Sequence, residues 1–321
     1  MADRTTENLV ELLARWRGDP LAFVTEAFVD PPTPEEWHKK VLNALPVEDR
    51  VAIRSGHGVG KALEARTPVL TPTGWTPIGE LRPQDRVIAG DGTPTTVLGV
   101  YPQGVRPLFR VHTSDGGSVL CDAEHLWLTS DRSARRYNRP MQVRTTQQIA
   151  DSLTFPNGPR EGLNHCLPLQ PVAQFPRRRL PVDPYVLGFW LGDGTRARVC
   201  GPTEKLDELE KVTPLGLRRA DTRSLDNWQA NILGIGPALR ALGLYELGSH
   251  ERFIPEDYLF SSVEQRTALL QGLLDTDGYT NGAGNNTVSF DVTSPRLAEG
   301  VRHLVQSLGG VVRVADRKSV V

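Results

Sequence analysis

Cysteine is scarce in this chain: Cys121, Cys166 and Cys200 are the three among 321 residues. They are too few and too scattered for a disulfide framework or a paired-cysteine zinc site, and they suit a reducing compartment. Net charge is equally slight, −1 with histidine neutral, which excludes a global field that gathers nucleic acid. No apolar run approaches the length that spans a bilayer, and the N-terminus, Met-Ala-Asp-Arg-Thr-Thr-Glu, is polar with no apolar stretch behind it. The expected setting is the cytoplasm, with no membrane partner. What is present is length enough for two or three domains.

One segment breaks the charge balance. Between Asp131 and Arg179 stand nine arginines, no lysine and three acids (Asp131, Asp151, Glu161), a local excess of six positive charges. Such a block is either a solvated loop or a surface that faces phosphates.

Residues 5–45 carry apolar positions at helical spacing, with Leu9, Leu12, Leu13 and Trp16 followed by Phe23, Ala27 and Phe28. Thr33 reads as an N-cap, with Pro34 in the first turn and Glu36 closing a capping box. Residues 50–54 form a short apolar strand that feeds a glycine loop ending in Lys61. In it Gly58, Gly60 and Lys61 are the candidate phosphate binders, because glycines let backbone N–H groups converge and the lysine reaches the outer phosphates. A magnesium-binding Ser or Thr should follow. Ala62 stands there instead, and the phosphate loop is interrupted.

From Ala62 the texture is β. Turn signals recur at Pro72-Thr73-Gly74, Gly90-Asp91-Gly92, Pro102-Gln103-Gly104 and Asp115-Gly116-Gly117, separated by the short runs 86–89, 96–101 and 108–111. This spacing predicts a compact all-β unit reaching at least Leu128. One helix is predicted over residues 144–150, and a domain boundary near Pro181.

Beyond it the pattern is α/β. Asp183-Pro184 opens a helix that runs to Asp193-Gly194, and Ser261-Ser262-Val263-Glu264 reads as a capping box opening a second that runs to Asp277-Gly278. Each places a glycine, Gly188 or Gly272, five residues before its aspartate, and the aspartates lie 84 apart (277 − 193). A single such helix is explained as a core helix with a glycine C-cap. Two with the same offset suggest a duplicated unit in which the glycines allow close approach and Asp193 and Asp277 meet at adjoining C-termini. A carboxylate there opposes the helix dipole by roughly 0.3–1 kcal/mol, a cost that a cation relieves. Oxygen ligands suit Mg²⁺, and paired metal-binding carboxylates suit phosphodiester hydrolysis. Reading Leu273-Leu274-Asp275 as a Walker B strand is disfavoured by its leucines, by Gly272 and by its start from a helix cap. A last helix is predicted from Ser294-Pro295 to the stop at Gly309-Gly310, and a strand over residues 311–314.

Three family resemblances arise from these residues. Residues 1–61 resemble the start of the ATPase domain of a phage terminase large subunit, with departures at His38 and Ser55. Thr67–Leu81 and Gly117–Leu126 resemble the opening blocks of the Hint fold of inteins. The paired helices resemble the LAGLIDADG (DOD-type) motif of homing endonucleases, including those carried inside inteins. Together they imply a multidomain chain: an all-β Hint (hedgehog/intein) domain plus an α/β LAGLIDADG endonuclease domain, preceded by a mostly helical fragment of a P-loop ATPase. The boundaries expected are 1–61, 62–180 and 181–321.

The resemblance further implies that His125 activates the Lys61–Ala62 amide at the splice junction, although Asp122 replaces the family's usual threonine. Ala62 cannot attack the preceding carbonyl as the usual Cys or Ser does. Either it belongs to the minority of inteins that begin with Ala, or it is a substitution that silences splicing. Asp193 and Asp277 are implied as catalytic and Mg²⁺-binding, and Arg196, Arg198, Arg218 and Arg219 as phosphate contacts while strands enter the major groove. The implied partner is duplex DNA of the intein-free terminase gene in a bacterial host's cytoplasm, bound by a monomer with a pseudo-twofold endonuclease. ATP would serve only the spliced parent terminase. Val321 lies 44 residues past Asp277 (321 − 277), before any closing Hint block, so the second repeat and the splicing domain are read as C-terminally truncated. The alternatives are a packaging ATPase with a non-splicing DNA-binding insertion, and a decayed intein without activity.

Overall fold

The computed structural model describes residues 63–157, 160–213, 216–219, 228–280 and 287–315. All of them belong to one compact unit, His57–Val321. The helices, strand and glycine loop expected before Leu63, with Gly58, Gly60, Lys61 and Ala62, lie outside the described residues.

The first part is a succession of antiparallel ribbons. They are β1 (Pro68–Thr71) with β2 (Gly74–Pro77), β3 (Arg86–Ile88) with β4 (Pro94–Thr96), and β5 (Phe109–His112) with β6 (Ser118–Cys121). Next come β7 (Leu126–Thr129) with β8 (Gln142–Thr145), spanned by the short helix α1 (Arg132–Arg136), then α2 (Thr146–Asp151), and then β9 (Thr154–Asn157) with β10 (Arg160–Leu163). The turns fall at the glycine signals: Gly92 and Gly116 sit at φ 83° and 91°, a region that side-chain-bearing residues avoid. Helix α2 starts where threonine chemistry directs it, Thr145 and Gln148 forming a reciprocal capping box. The strand expected over residues 96–101 is shorter than predicted. It ends with β4 at Thr96, and Val97 makes its backbone hydrogen bonds with Gln84 and Asp85 instead.

The second part is α/β. It runs α3 (Pro184–Asp193), β11 (Gly194–Thr195), β12 (Arg198–Gly201), α4 (Thr203–Val212), β13 (Leu217–Arg219), β14 (Trp228–Ile232), α5 (Ile235–Ala241) and α6 (Glu256–Leu259). Then follow α7 (Val263–Asp277), β15 (Gly278–Thr280), β16 (Val288–Phe290) and α8 (Pro295–Ser307). The order helix–hairpin–helix thus occurs twice, as α3–β11–β12–α4 and as α7–β15–β16–α8. Asp183 caps α3 ahead of Pro184. The capping box of α7 is one residue later than predicted: Ser262 with Gln265, not Ser261 with Glu264. Ser261 instead donates its hydroxyl to the Tyr258 carbonyl. Residues 311–314 carry no strand.

Strands β11, β12, β14 and β13 form one antiparallel sheet in that order. Val199, Ala230 and Ile232 point into the core, with Leu206 and Leu209 of α4 and nearly all of α3. The chain between the two parts is strapped to this core. Fully buried Arg266 on α7 donates to the carbonyls of Ser261 and Ser307 at 2.9 Å each, and to that of Ala173. Its guanidinium lies over the Phe175 ring at 4.6 Å. Gln265 brackets the backbone of Arg178 with both amide atoms. Burial lowers the Arg266 pKa to about 10, still charged at neutral pH, so its acceptors must replace water.

His303 on α8 lies against Phe260 (4.9 Å between ring centroids) and Trp75 of β2 (6.0 Å), donating from Nε2 to the Leu259 carbonyl. Burial, with the Arg266 and Arg302 charges, pushes its pKa down to about 4, against the partial support of Leu259 and Glu299. The unfolded chain takes up this proton near pH 6.5 and the folded chain only near pH 4, so acidification through that window favours unfolding. Denaturant melts of wild type should lose up to about 3 kcal/mol between those pH values, and His303→Gln should lose correspondingly less.

Candidate active site

Helices α3 and α7 touch backbone to backbone. A methyl group on Gly188 would overlap the Leu269 carbonyl, and one on Gly272 would overlap the Tyr185 carbonyl. The contact is reciprocal, so neither glycine tolerates a side chain unless the helices part. One turn further on, Gly192 faces the side chains of Thr276 and Asp277. Helix α3 is buried because its apolar residues, Val186, Leu187, Phe189, Trp190 and Leu191, continue around the cylinder. Helix α7 instead buries one face through Leu269, Gly272 and Leu273 and exposes Glu264, Thr267, Gln271 and Asp275 on the other.

The pairing carries Asp193 and Asp277 to adjoining C-terminal ends, each the last residue of its helix. The next residue closes the helix in extended conformation, the Gly194 amide donating to the Trp190 carbonyl and the Gly278 amide to that of Leu274. Neither glycine is left-handed. They are needed because a Cβ would strike the preceding turn. Burial raises the pKa of both aspartates, and the Asp193 charge raises that of Asp277 further.

Two cations that the sequence reading missed attend the pair. Arg252 is buried and donates Nη1 to the carbonyls of Leu191 (2.8 Å) and Gly192 (2.9 Å), and Nη2 to that of Gly194. Its guanidinium lies 5.0 Å from the Trp190 ring. It therefore answers the negative end of α3, while its charge lowers both aspartate pKa values. Lys205 on α4 reaches from the side, its Nζ 3.5 Å from the Thr276 carbonyl of α7, with the same effect on both carboxylates. Neither stands near an aspartate in sequence. Only the fold brings them in, so no local signal could have found them.

The predicted arginines take different positions. Arg198 and Arg218 flank Asn231 across the sheet and lie with Gln229 on the face opposite the core residues. Arg196 is exposed at φ 55°, 4.0 Å from Glu246. Arg219 is bound by Asp207 and, at 2.8 Å, by Glu210.

His125 belongs to the ribbon part and not to the acidic pair. It is buried, 5.0 Å edge-on from Trp127, and its carbonyl accepts from the amide and hydroxyl of Thr146. The Trp127 indole donates to the same hydroxyl at 3.0 Å. Leu63 bridges Cys121 in antiparallel register and the Glu64 amide donates to Leu120. The chain just after Ala62 thus runs beside the strand that leads to His125. Asp122, buried nearby, is paired with Arg106 at 3.2 Å.

Residues 264–319 match the LAGLIDADG-like domain family, a stretch that takes in Asp277 and all of α7 but Val263. The chain is also 36% identical over 274 residues to the replicative DNA helicase DnaB of Mycobacterium intracellulare, a match covering 81% of this chain and 44% of that protein. The DnaB of Mycobacterium leprae (strain TN) is 38% identical over 92 residues, covering 28% and 15%. The chain therefore spans less than half the length of these curated relatives. Among solved structures, the MchDnaB-1 intein is 36% identical, covering 27% of this chain and 60% of that one with a TM-score of 0.23. The Msm DnaB1 intein splicing domain is 34% identical, covering 27% and 62% with the same TM-score.

These relatives correct one expectation. A phage terminase large subunit was expected as host, but the proteins that align are replicative helicases. A strand, a glycine loop and a lysine are common to many nucleotide-binding ATPases, so residues 1–61 could not discriminate among hosts.

Ala in place of Gly272 gains about 1 kcal/mol of helix propensity, yet it must separate α3 from α7. Gly272→Ala and Gly188→Ala should each destabilise the chain by about 1–3 kcal/mol net, measured by denaturant unfolding.

Proposed function

We propose that the chain is an intein-type splicing element carrying a DOD-type LAGLIDADG homing endonuclease that hydrolyses duplex DNA with Mg²⁺ at Asp193 and Asp277. The observation that carries this reading is the meeting of two carboxylates at paired helix ends, flanked by Lys205 and Arg252. The curated relatives point to a DnaB-type helicase as host, and the target is the host gene without the insertion.

The donor set fits the metal. Two half-buried carboxylates with raised pKa values are acceptor-only once ionised, and Mg²⁺ accepts one or two carboxylates while keeping water and phosphate oxygens as its other ligands. When bound, the ion supplies charge neutralisation for an in-line attack on phosphorus. The protein's own residues do the rest. Asp193 and Asp277 position the cation, Lys205 presents a charge to a phosphate oxygen, and Arg252 holds the end of α3 in place. Arg198, Asn231, Gln229 and Arg218 form the polar face that meets base edges, where arginine suits guanine and amide side chains suit adenine. Arg196 is a phosphate contact. Arg219, already bound by two carboxylates, braces α4.

At the other centre His125 has its backbone carbonyl held by Thr146 and its ring edge-on to Trp127. It serves as the proton donor to the Ala62 nitrogen when a nucleophile other than Ala62 attacks the Lys61 carbonyl and breaks the Lys61–Ala62 amide.

Asp193→Asn and Asp277→Asn should each bind a duplex spanning the uninterrupted host gene as wild type does, yet lose Mg²⁺-dependent cutting by about a hundredfold or more. Gel shift and cleavage of the same labelled duplex measure the two effects. Cleavage that survives both substitutions would contradict the reading.

A further inference from the structure

The arginine-rich segment noticed in the sequence is a defined surface in the fold. Helix α1 and the turn after it, between β7 and β8, expose Arg132, Arg135, Arg136 and Arg139. The acid at its start is fully engaged. One oxygen of Asp131 caps α1 through the Ala134 amide at 2.8 Å, and the other pairs with Arg144 at 2.9 Å. Arg135 donates to the carbonyls of Ser130 and Asn164, which leaves its charge uncancelled. Among the described residues, no carboxylate pairs with Arg132, Arg136 or Arg139.

These guanidiniums are nonetheless positioned. Arg132 lies 4.4 Å from the Phe155 ring centroid. Asn138 at φ 49° turns the chain back after α1, so that Arg139 comes to the Tyr137 ring that Arg136 already faces, each at 5.5 Å. Tyr137 itself is 60% exposed. Aromatic rings hold the guanidinium planes while their N–H edges stay open, the geometry that suits bidentate contact with phosphate. An apolar or acidic surface would not be built this way.

We propose that residues 131–144 form a second DNA-binding surface, outside the LAGLIDADG-like part, that grips the sugar–phosphate backbone of the duplex. The inference rests on the endonuclease reading for its choice of duplex DNA over other polyanions. Its contacts are with phosphates, so it adds affinity and orientation without reading sequence.

The test is fluorescence anisotropy of the full chain with a labelled DNA duplex, without Mg²⁺, over a salt series. Each phosphate contact contributes about 0.9 to the slope of log affinity against log salt, so Arg132→Gln/Arg136→Gln/Arg139→Gln should reduce that slope by about 2–3. Arginine-to-lysine changes at the same positions should preserve it. A charge-matched control, Arg82→Gln/Arg86→Gln/Arg110→Gln, just ahead of β3, on β3 and on β5, should leave it unchanged. The surface is overturned if the triple glutamine variant keeps the wild-type slope, if the control loses as much, if wild type does not bind, or if an RNA duplex or acidic peptide competes as well as DNA. Cutting is scored separately. Wild type that never cuts but binds through these arginines retains the surface and loses the endonuclease reading. Wild type that cuts while the triple variant binds unchanged does the reverse.

Discussion

The backbone contact between α3 and α7 is the constraint on which the candidate site depends. Helices normally keep 8–10 Å between axes because side chains intervene. Here glycine on each helix removes that spacer at the crossing, and each backbone occupies the space a Cβ of the other would need. Leu269, Leu273, Phe189 and Leu187 on the two helices are fully buried, so neither water nor a side chain can enter cheaply. From this one crossing follows the position of both helix ends, and with them the two carboxylates.

That arrangement is costly alone. At two dipole C-termini each carboxylate meets three like-signed sources, the other carboxylate and both helix ends, in a half-buried place. Arg252 and Lys205 offset this from outside the motif helices, one by binding the carbonyls at the end of α3, the other by approaching the end of α7. Their charges lower the aspartate pKa values that burial raises. The pair is thus poised rather than quenched: the cations approach carbonyls, and the carboxylate oxygens remain the acceptors on offer.

Much of this was legible in sequence because it rests on local rules. Capping residues and prolines marked the starts of α3 and α8, glycine turns marked the ribbons, and the repeated Gly-to-Asp offset marked the helix pair. What escaped was set by distance along the chain. Arg252 lies 59 residues (252 − 193) from the aspartate it serves, and Lys205 joins the site only because α4 packs beside α3. Arg219 reads as one of two equal arginines in Arg218-Arg219, yet strand alternation sends one to the open face and the other to the acids of α4. The cap of α7 shifted by one because two adjacent serines offered equivalent hydroxyls. The strand expected at residues 311–314 had apolar β-branched residues but found no partner among the described residues.

The ribbon part and the α/β part are joined by buried polar chemistry, with Arg266 holding the segment at Ala173 and His303 set between Trp75 and Phe260. The central claim remains that the glycine crossing places the acidic pair. Calorimetric Mg²⁺ binding by the full chain tests it most directly when wild type is compared with Gly272→Ala, which keeps both carboxylates, at a denaturant-free condition where circular dichroism shows both folded. The account predicts that Gly272→Ala weakens Mg²⁺ binding by about tenfold or more, as expected when a ligand's support is disturbed. Binding equal to wild type would show that the crossing does not position the pair.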